Sequence, residues 1–239
     1  MRLLTWNIGS FITRRYITWG LQNLEQLEYF QPSLNSEFVT NTINHLQPDF
    51  IFLQEFYNKQ DAEEISALKD YPFKKPLDMW YGKGRALIAS KVPFKINTKN
   101  NIFYISLESF TIIPIHLNAY STKHRLQEVE KIKTTFIDHI NIILFGDFNI
   151  WNKKEFFIFR NDFKSSLLLK SFLRDLSQNI SSTTFLGFSL DKVFTSANVV
   201  CKNKPSSPTW RGSYMDHYPL YFDIDVNEIT LTTLEKEKK

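Results

Sequence analysis

The chain has 239 residues, of which 43% are hydrophobic, 15% aromatic and 23% charged, a globular balance that excludes wholesale disorder. Its formal charge of +4 accommodates an anionic partner without demanding one, and no apolar run reaches the ~20 residues of a membrane span. One cysteine, Cys201, excludes an internal disulfide framework and a cysteine-based metal cluster.

The opening residues MRLLTWN lack the apolar stretch and cleavage site of a secretory leader, so a cytoplasmic setting is expected. Residues 1–228 read as one domain and 229–239, ending LEKEKK, as a charged tail prone to fray. A first strand is expected over Arg2–Ile8 and a helix over Glu37–Leu46, with Phe38, Ile43 and Leu46 on one stripe. Phe50–Phe56 and Ala86–Ser90 follow as strands. Ile102–Ser106 and Thr111–Leu117 lie too close together for a helical crossover, which predicts antiparallel pairing. Lys123–Ile140 repeats Leu126, Val129, Ile132, Phe136 and Ile140 at helical steps. Asn141–Phe145 is a strand, Ser165–Leu176 a helix carrying Leu167, Leu168, Phe172, Leu173 and Leu176, and Leu190–Phe194 and Leu220–Val226 are strands. The β-branched and aromatic content of the apolar runs favours strand over buried helix. Strands interleaved with helices, plus a hairpin, predict an α/β fold: a four-layer sandwich of two packed mixed β-sheets flanked by helices.

Polar residues interrupt these strands at their ends. Asn7 closes LLTWN, Glu55 closes FIFLQE, and His116 breaks IIPIHL. Asp147 and Asn149 follow INIILFG, Asp191 opens DKVF, and Asp216-His217 precedes YPLYFDI. Each alone reads as a cap, a turn or a satisfied core residue. Gathered at one rim they form a cleft lined by acids, amides and imidazoles, costly to bury unless the groups pair or hold a cation.

In their order and context, TWN (5–7), LQE (53–55), HLNAY (116–120), GDFN (146–149), LDKVF (190–194) and MDHYPL (215–220) resemble the endonuclease/exonuclease/phosphatase superfamily, the deoxyribonuclease I-like fold. GKGRALIASKVPF (82–94) and Arg125-x-Gln127 support the likeness. The resemblance implies a phosphoesterase using Mg²⁺ or Mn²⁺. It implies Glu55 as principal metal ligand with Asn7 beside it, and Asp216 contributing through water or by orienting its neighbour. Asp147 would orient and deprotonate the attacking water, and Asn149 would hold a phosphate oxygen or that water. His217 would donate to the phosphoryl oxygen, and His116 would do likewise or assist the leaving group, held by Asp191. Such residues suit phosphoester hydrolysis, where a cation and positioned donors must neutralise anionic oxygens before water approaches.

Three stretches are candidates for substrate contact. Thr13–Trp19 offers Arg14 and Arg15 with Tyr16 and Trp19, a mix suited to single-stranded nucleic acid and equally to a solvated loop. Trp151–Arg174 interleaves lysines and arginines with Trp151, Phe156, Phe157 and Phe159, and the better reading is an amphipathic helix with a charged outer face. Pro208–Tyr214 leads into the Asp216-His217 pair, placing Trp210, Arg211 and Tyr214 on a cleft wall, with Arg211 gripping a second phosphate. The expected activity is hydrolysis of nucleic acid, DNA favoured. The alternative is a phosphatase or phosphodiesterase on a lipid or inositol-phosphate headgroup.

Overall fold

A computed structural model describes residues 1–8, 32–56, 65–78, 85–107, 110–151, 160–180, 182–184, 188–207 and 217–225. In chain order the elements are β1 (Arg2–Asn7), α1 (Pro32–Leu46), β2 (Phe50–Gln54), a 3-10 turn (Ser66–Asp70), β3 (Phe73–Asp78), β4 (Arg85–Ser90), β5 (Lys95–Lys99), β6 (Ile102–Ser106) and β7 (Thr111–His116). Then come α2 (Thr122–Phe136), β8 (Ile142–Asp147), α3 (Arg160–Lys170), β9 (Arg174–Asp175), β10 (Asp191–Thr195) and β11 (Leu220–Asp223). The strands form a five-stranded sheet ordered β11-β1-β2-β4-β3 and a six-stranded sheet ordered β5-β6-β7-β8-β10-β9. Both are mixed: β1–β2 and β7–β8 pair parallel, their other neighbours antiparallel.

Alternation along each strand sorts side chains to two faces. Leu3, Phe50, Phe52, Ile112, Ile143, Phe145 and Val193 meet in the core between the sheets. The ring of Phe145 lies edge-on to Phe50, Phe52 and Phe222 at 6.2, 5.9 and 5.9 Å, the geometry aromatic quadrupoles favour. On the far side of the first sheet, Leu4, Trp6, Ile51 and Leu53 pack with Val39, Ile43 and Leu46 of α1. On the far side of the second, Ile113, Ile115, Leu144 and Phe194 pack with Val129, Ile132 and Phe136 of α2 and Leu169 of α3. These are the four layers expected. No described helix is long and apolar enough to cross a membrane.

Several boundaries differ from expectation. α2 stops at Phe136 rather than running to Ile140. Asn141, at φ +60°, turns the chain sharply into β8, and Ile140 is left 47% exposed. α3 covers Arg160–Lys170 rather than Ser165–Leu176. Its buried face is Asp162, Ser165, Ser166 and Leu169; of the expected stripe Leu167 faces out, while Leu168, Phe172, Leu173 and Leu176 pack on the core, the last three beyond the helix end. Arg160, Lys164 and Lys170 are exposed, which fits an amphipathic helix with a charged outer face. Strands β3 and β5 had no sequence signal because they lie at sheet edges, β3 with every residue but Leu77 exposed, and carry no apolar alternation.

Candidate active site

Followed to the strand ends, the two inner faces turn polar. Two residues past Thr5 stands Asn7, four past Ile112 stands His116, two past Phe145 stands Asp147, and two before Val193 stands Asp191. Register brings them together, since Asp147 is the direct partner of both His116 on β7 and Asp191 on β10.

Asp147 is the hub. It follows Gly146, whose φ is +141° and where a Cβ would lie 2.0 Å from the Ile115 carbonyl oxygen, so only glycine fits. The Asp147 side chain is 1% exposed. Its Oδ1 accepts the Asn149 backbone N–H at 2.9 Å, and its Oδ2 accepts Nδ2 of Asn149 at 3.0 Å and of Asn7 at 3.2 Å. Asn149 adopts φ +50°, a conformation asparagine tolerates better than most residues. Its Nδ2 also donates to the Leu117 carbonyl at 3.1 Å, joining the segments after β7 and β8.

Glu55 leaves β2 at φ +55°, at a cost of roughly 1–2 kcal/mol. The turn follows Gln54, which is buried and donates from Nε2 to Thr5 Oγ1 at 2.7 Å. It brings Glu55 Oε1 to 3.0 Å from Asn7 Nδ2. His116 Nε2 stands 3.7 Å from Glu55 Oε1 and 3.9 Å from Asp147 Oδ2, and His217 Nε2 stands 3.9 Å from that same oxygen. These spacings are too long for direct hydrogen bonds and suit an intervening polar atom.

Asp191 holds His217, not His116: its Oδ2 lies 2.8 Å from His217 Nδ1. That corrects the role the resemblance implied, in which Asp191 held His116: β8 lies between β7 and β10, so it is Asp147 that stands opposite both His116 and Asp191. Burial pushes the Asp191 carboxyl above its ordinary value, while the charge and hydrogen bond of His217 pull it back. Thr183 Oγ1 accepts the N–H of Leu190 and of Asp191, each at 3.0 Å. Trp6 Nε1 donates to the His217 carbonyl at 3.0 Å. His217 is therefore held at its backbone carbonyl and at Nδ1, with Nε2 turned toward Asp147.

Two donor sets around Asp147 suit a cation. Glu55 Oε1 and Asp147 Oδ2 converge on the Asn7 amide, which can turn its Oδ1 to them, giving hard oxygens only. The Glu55 side chain is 29% exposed, leaving water access of the kind Mg²⁺ keeps. Asp147, Asp191 and His217 also present ligand atoms within 4.8 Å of one another, but the Asp191–His217 hydrogen bond already fills much of that set. The first fits a hard divalent ion better.

The structure thus brings together Asn7, Glu55, His116, Asp147, Asn149, Asp191 and His217. Arg14, Arg15, Trp210, Arg211, Tyr214 and Asp216 lie outside the described residues, as does the 229–239 tail. Sequence reasoning missed the pairing of Arg125 with Asp162. Both side chains are buried, and Nε and Nη2 reach Oδ1 and Oδ2 at 2.8 and 2.7 Å. A signal existed: Arg125, rather than Leu126, stands four before Val129 on the stripe that continues through Ile132 and Phe136.

No curated protein matches the sequence significantly. Among solved structures, the 3′ phosphatase NExo from Neisseria bound to product DNA hairpin superposes with a TM-score of 0.65 at 16% identity, over 94% of this chain and 99% of that one. An AP endonuclease from Archaeoglobus fulgidus gives 0.62 at 14%, over 95% and 100%. An endonuclease/exonuclease/phosphatase from Bacteroides vulgatus gives 0.64 at 14%, over 94% and 98%. At such identities these likenesses concern the fold. The sequence model of the Endonuclease/Exonuclease/phosphatase family matches residues 4–217, and the chain belongs to that family of phosphoester hydrolases.

Proposed function

We propose that the protein is a divalent-cation-dependent phosphodiesterase that hydrolyses nucleic acid, DNA favoured, by in-line attack of water on phosphorus. The observation that carries this reading is the surround of Asp147 Oδ2, with amides of Asn7 and Asn149 bonded to it and Nε2 of His116 and of His217 each at 3.9 Å. A carboxylate held by amides orients a water and takes its proton. The imidazoles on either side, His217 fixed by Asp191, donate to non-bridging or leaving oxygens as their charge grows. Glu55 and Asn7 would hold Mg²⁺ or Mn²⁺, which when bound supplies charge neutralisation at the phosphate. Asp191 keeps Nδ1 of His217 occupied, so that Nε2 serves the substrate.

Of the structural neighbours, one is by its name a 3′ phosphatase bound to a product DNA hairpin and another an AP endonuclease, which supports the nucleic-acid reading. The proposal includes a cytoplasmic setting, and assigns Arg14, Arg15, Trp210, Arg211 and Tyr214 to substrate contact and Asp216 to the metal. The test is hydrolysis, with and without Mg²⁺ and with Glu55→Ala as control, of single- and double-stranded DNA, abasic and 3′-blocked duplexes, RNA, sphingomyelin and an inositol phosphate. Metal-dependent cleavage of DNA, lost in the control, is expected. Cleavage of the lipid or inositol ester alone would overturn the nucleic-acid assignment.

A further inference from the structure

The loop between β7 and α2 carries His116 at its start and Tyr120 four residues on. Tyr120 is 96% exposed. A lone exposed aromatic is ordinary on a protein surface, but the backbone beneath this one is held from several directions. Asn118 Oδ1 accepts the N–H of Tyr120 at 2.9 Å and of Ser121 at 2.8 Å. Arg125 Nη1 donates to the carbonyls of Asn118 and Ala119 at 2.7 and 3.1 Å, and Glu128 Oε2 accepts the Asn118 N–H at 3.1 Å. On the catalytic side, Asn149 Nδ2 donates to Leu117 O, and the Leu117 N–H to Asp147 O. Trans peptide geometry keeps the Tyr120 Cα within about 11 Å of that of Leu117.

Folding gives the ring no evident use. Tyr120 precedes Ser121, the N-cap of α2, and an apolar residue there commonly packs on the fourth helical residue as a staple. Here that residue is Arg125, 2% exposed and committed to Asp162. A buried ion pair is expensive to assemble, and this one fixes the loop and leaves the aromatic ring standing in solvent, on the segment that directly follows His116.

We propose that Tyr120 is a substrate-binding residue, a preorganised stacking platform for a nucleobase flanking the scissile phosphate. The proposal rests on the nucleic-acid reading of the site and adds to it where the base lies. An exposed ring on a fixed backbone suits this use: stacking rewards any base through its π-face, and the loop is already ordered, so that only the ring's own two torsions are left to be fixed on binding. The phenol hydroxyl has no part in it, so phenylalanine should serve equally well.

The test uses the full chain and single-stranded DNA, with binding measured in a Glu55→Ala background so that substrate is not consumed. Tyr120→Ala is expected to weaken binding about tenfold or more, Tyr120→Phe to bind within about twofold of the parent, and Tm to stay unchanged in both. An oligonucleotide of the same length with abasic linkers in place of its bases should bind parent and Tyr120→Ala alike. In the active enzyme the Tyr120→Ala loss should fall on KM and leave kcat near that of wild type. Unchanged DNA affinity in Tyr120→Ala, or an equal loss on the base-free strand, would overturn the stacking role while leaving the nuclease reading intact. Wild-type protein that neither binds nor cleaves any oligonucleotide, yet hydrolyses an inositol phosphate or sphingomyelin, would overturn both.

Discussion

Asp191 and His217 meet through Oδ2 and Nδ1 at 2.8 Å, and the acid of this pair is wholly buried. Burial raises the Asp191 carboxyl, so its charge is held against desolvation chiefly by the imidazole beside it. Asp191→Asn keeps an oxygen for the Nδ1–H but removes the anion that favours the cationic imidazole. Tm should be held or raised, because a buried charge has gone, while kcat falls about 10²–10⁴-fold. Thermal denaturation beside steady-state kinetics checks this, and wild-type turnover in the variant would remove the pair from catalysis.

Asp147→Asn separates geometry from proton chemistry. The amide is nearly isosteric with the carboxylate, and the inner-face packing of Ile143 and Phe145 beneath it is untouched. It cannot take a proton from water. The expected outcome is a well-folded protein whose kcat falls about 10³-fold or more, read against wild type under saturating Mg²⁺. Substantial residual turnover would shift the base role to another group.

The positions gathered around Asp147 were legible because a polar residue that ends an apolar strand breaks the alternation that buries it. Asn7, His116 and Asp147 each stand where the inner face calls for another Leu, Ile or Phe. What the sequence could not carry was partnership. The choice of His217 over His116 for Asp191 depends on an antiparallel pairing of segments more than forty residues apart (Asp147 opposite Asp191). Arg125 stands on the buried stripe of its helix and Asp162 does not announce itself, so the pairing stays hidden: a charged residue reads as exposed by default, and its burial is tolerable only in the partner's presence. The edge strands β3 and β5 were invisible for the opposite reason: solvent on their outer sides asks nothing of their residues.

Arg2 and Asp223 tie the strand β1 to β11 through Nε–Oδ1 and Nη2–Oδ2 contacts of 2.8 and 3.0 Å. The hydrogen bonds from Arg2 hold the Asp223 carboxyl below the usual carboxylate range, opposed by partial burial. A depressed carboxyl contributes stability that is fully present above its unfolded value, about 3.9, and lost as pH falls through the folded one. Asp223→Asn should therefore lower Tm near neutrality by about 2–4 °C, the equivalent of about 1 kcal/mol for a partly exposed pair. The gap to wild type should close below about pH 4. Denaturation curves between acid and neutral pH read it directly, and a gap that persists in acid would mean that packing, not charge, links the strands.

Gly146→Ala tests the close approach of β7 and β8. The new Cβ would stand 2.0 Å from the Ile115 carbonyl oxygen, a backbone atom that cannot swing away, at a φ of +141°. The expected loss is roughly 3 kcal/mol. Turnover should fall with it, since Asp147 is the next residue and any shift of the strand moves the hub. Urea titration gives the stability arm, and an unchanged midpoint would show that the strand end yields more easily than its packing implies.

Arg125 and Asp162 offer the sharpest separation of stability from positioning. Arg125→Ala leaves a buried carboxylate unpaired and should cost about 3–5 kcal/mol. Replacing both, as Arg125→Met with Asp162→Leu, removes the uncompensated charge and should recover most of that loss, since apolar pairs of similar volume often match a buried ion pair. Activity should not return with it. Arg125 also donates to Asn118 and Ala119, and Asp162 Oδ2 lies 3.4 Å from the Trp151 N–H, so the pair spans the loops that follow His116 and Asn149. The double variant should keep a near-wild-type Tm with a raised KM and a reduced kcat. Full activity in it would mean that the two loops hold their places without the pair, and that Arg125 serves stability alone.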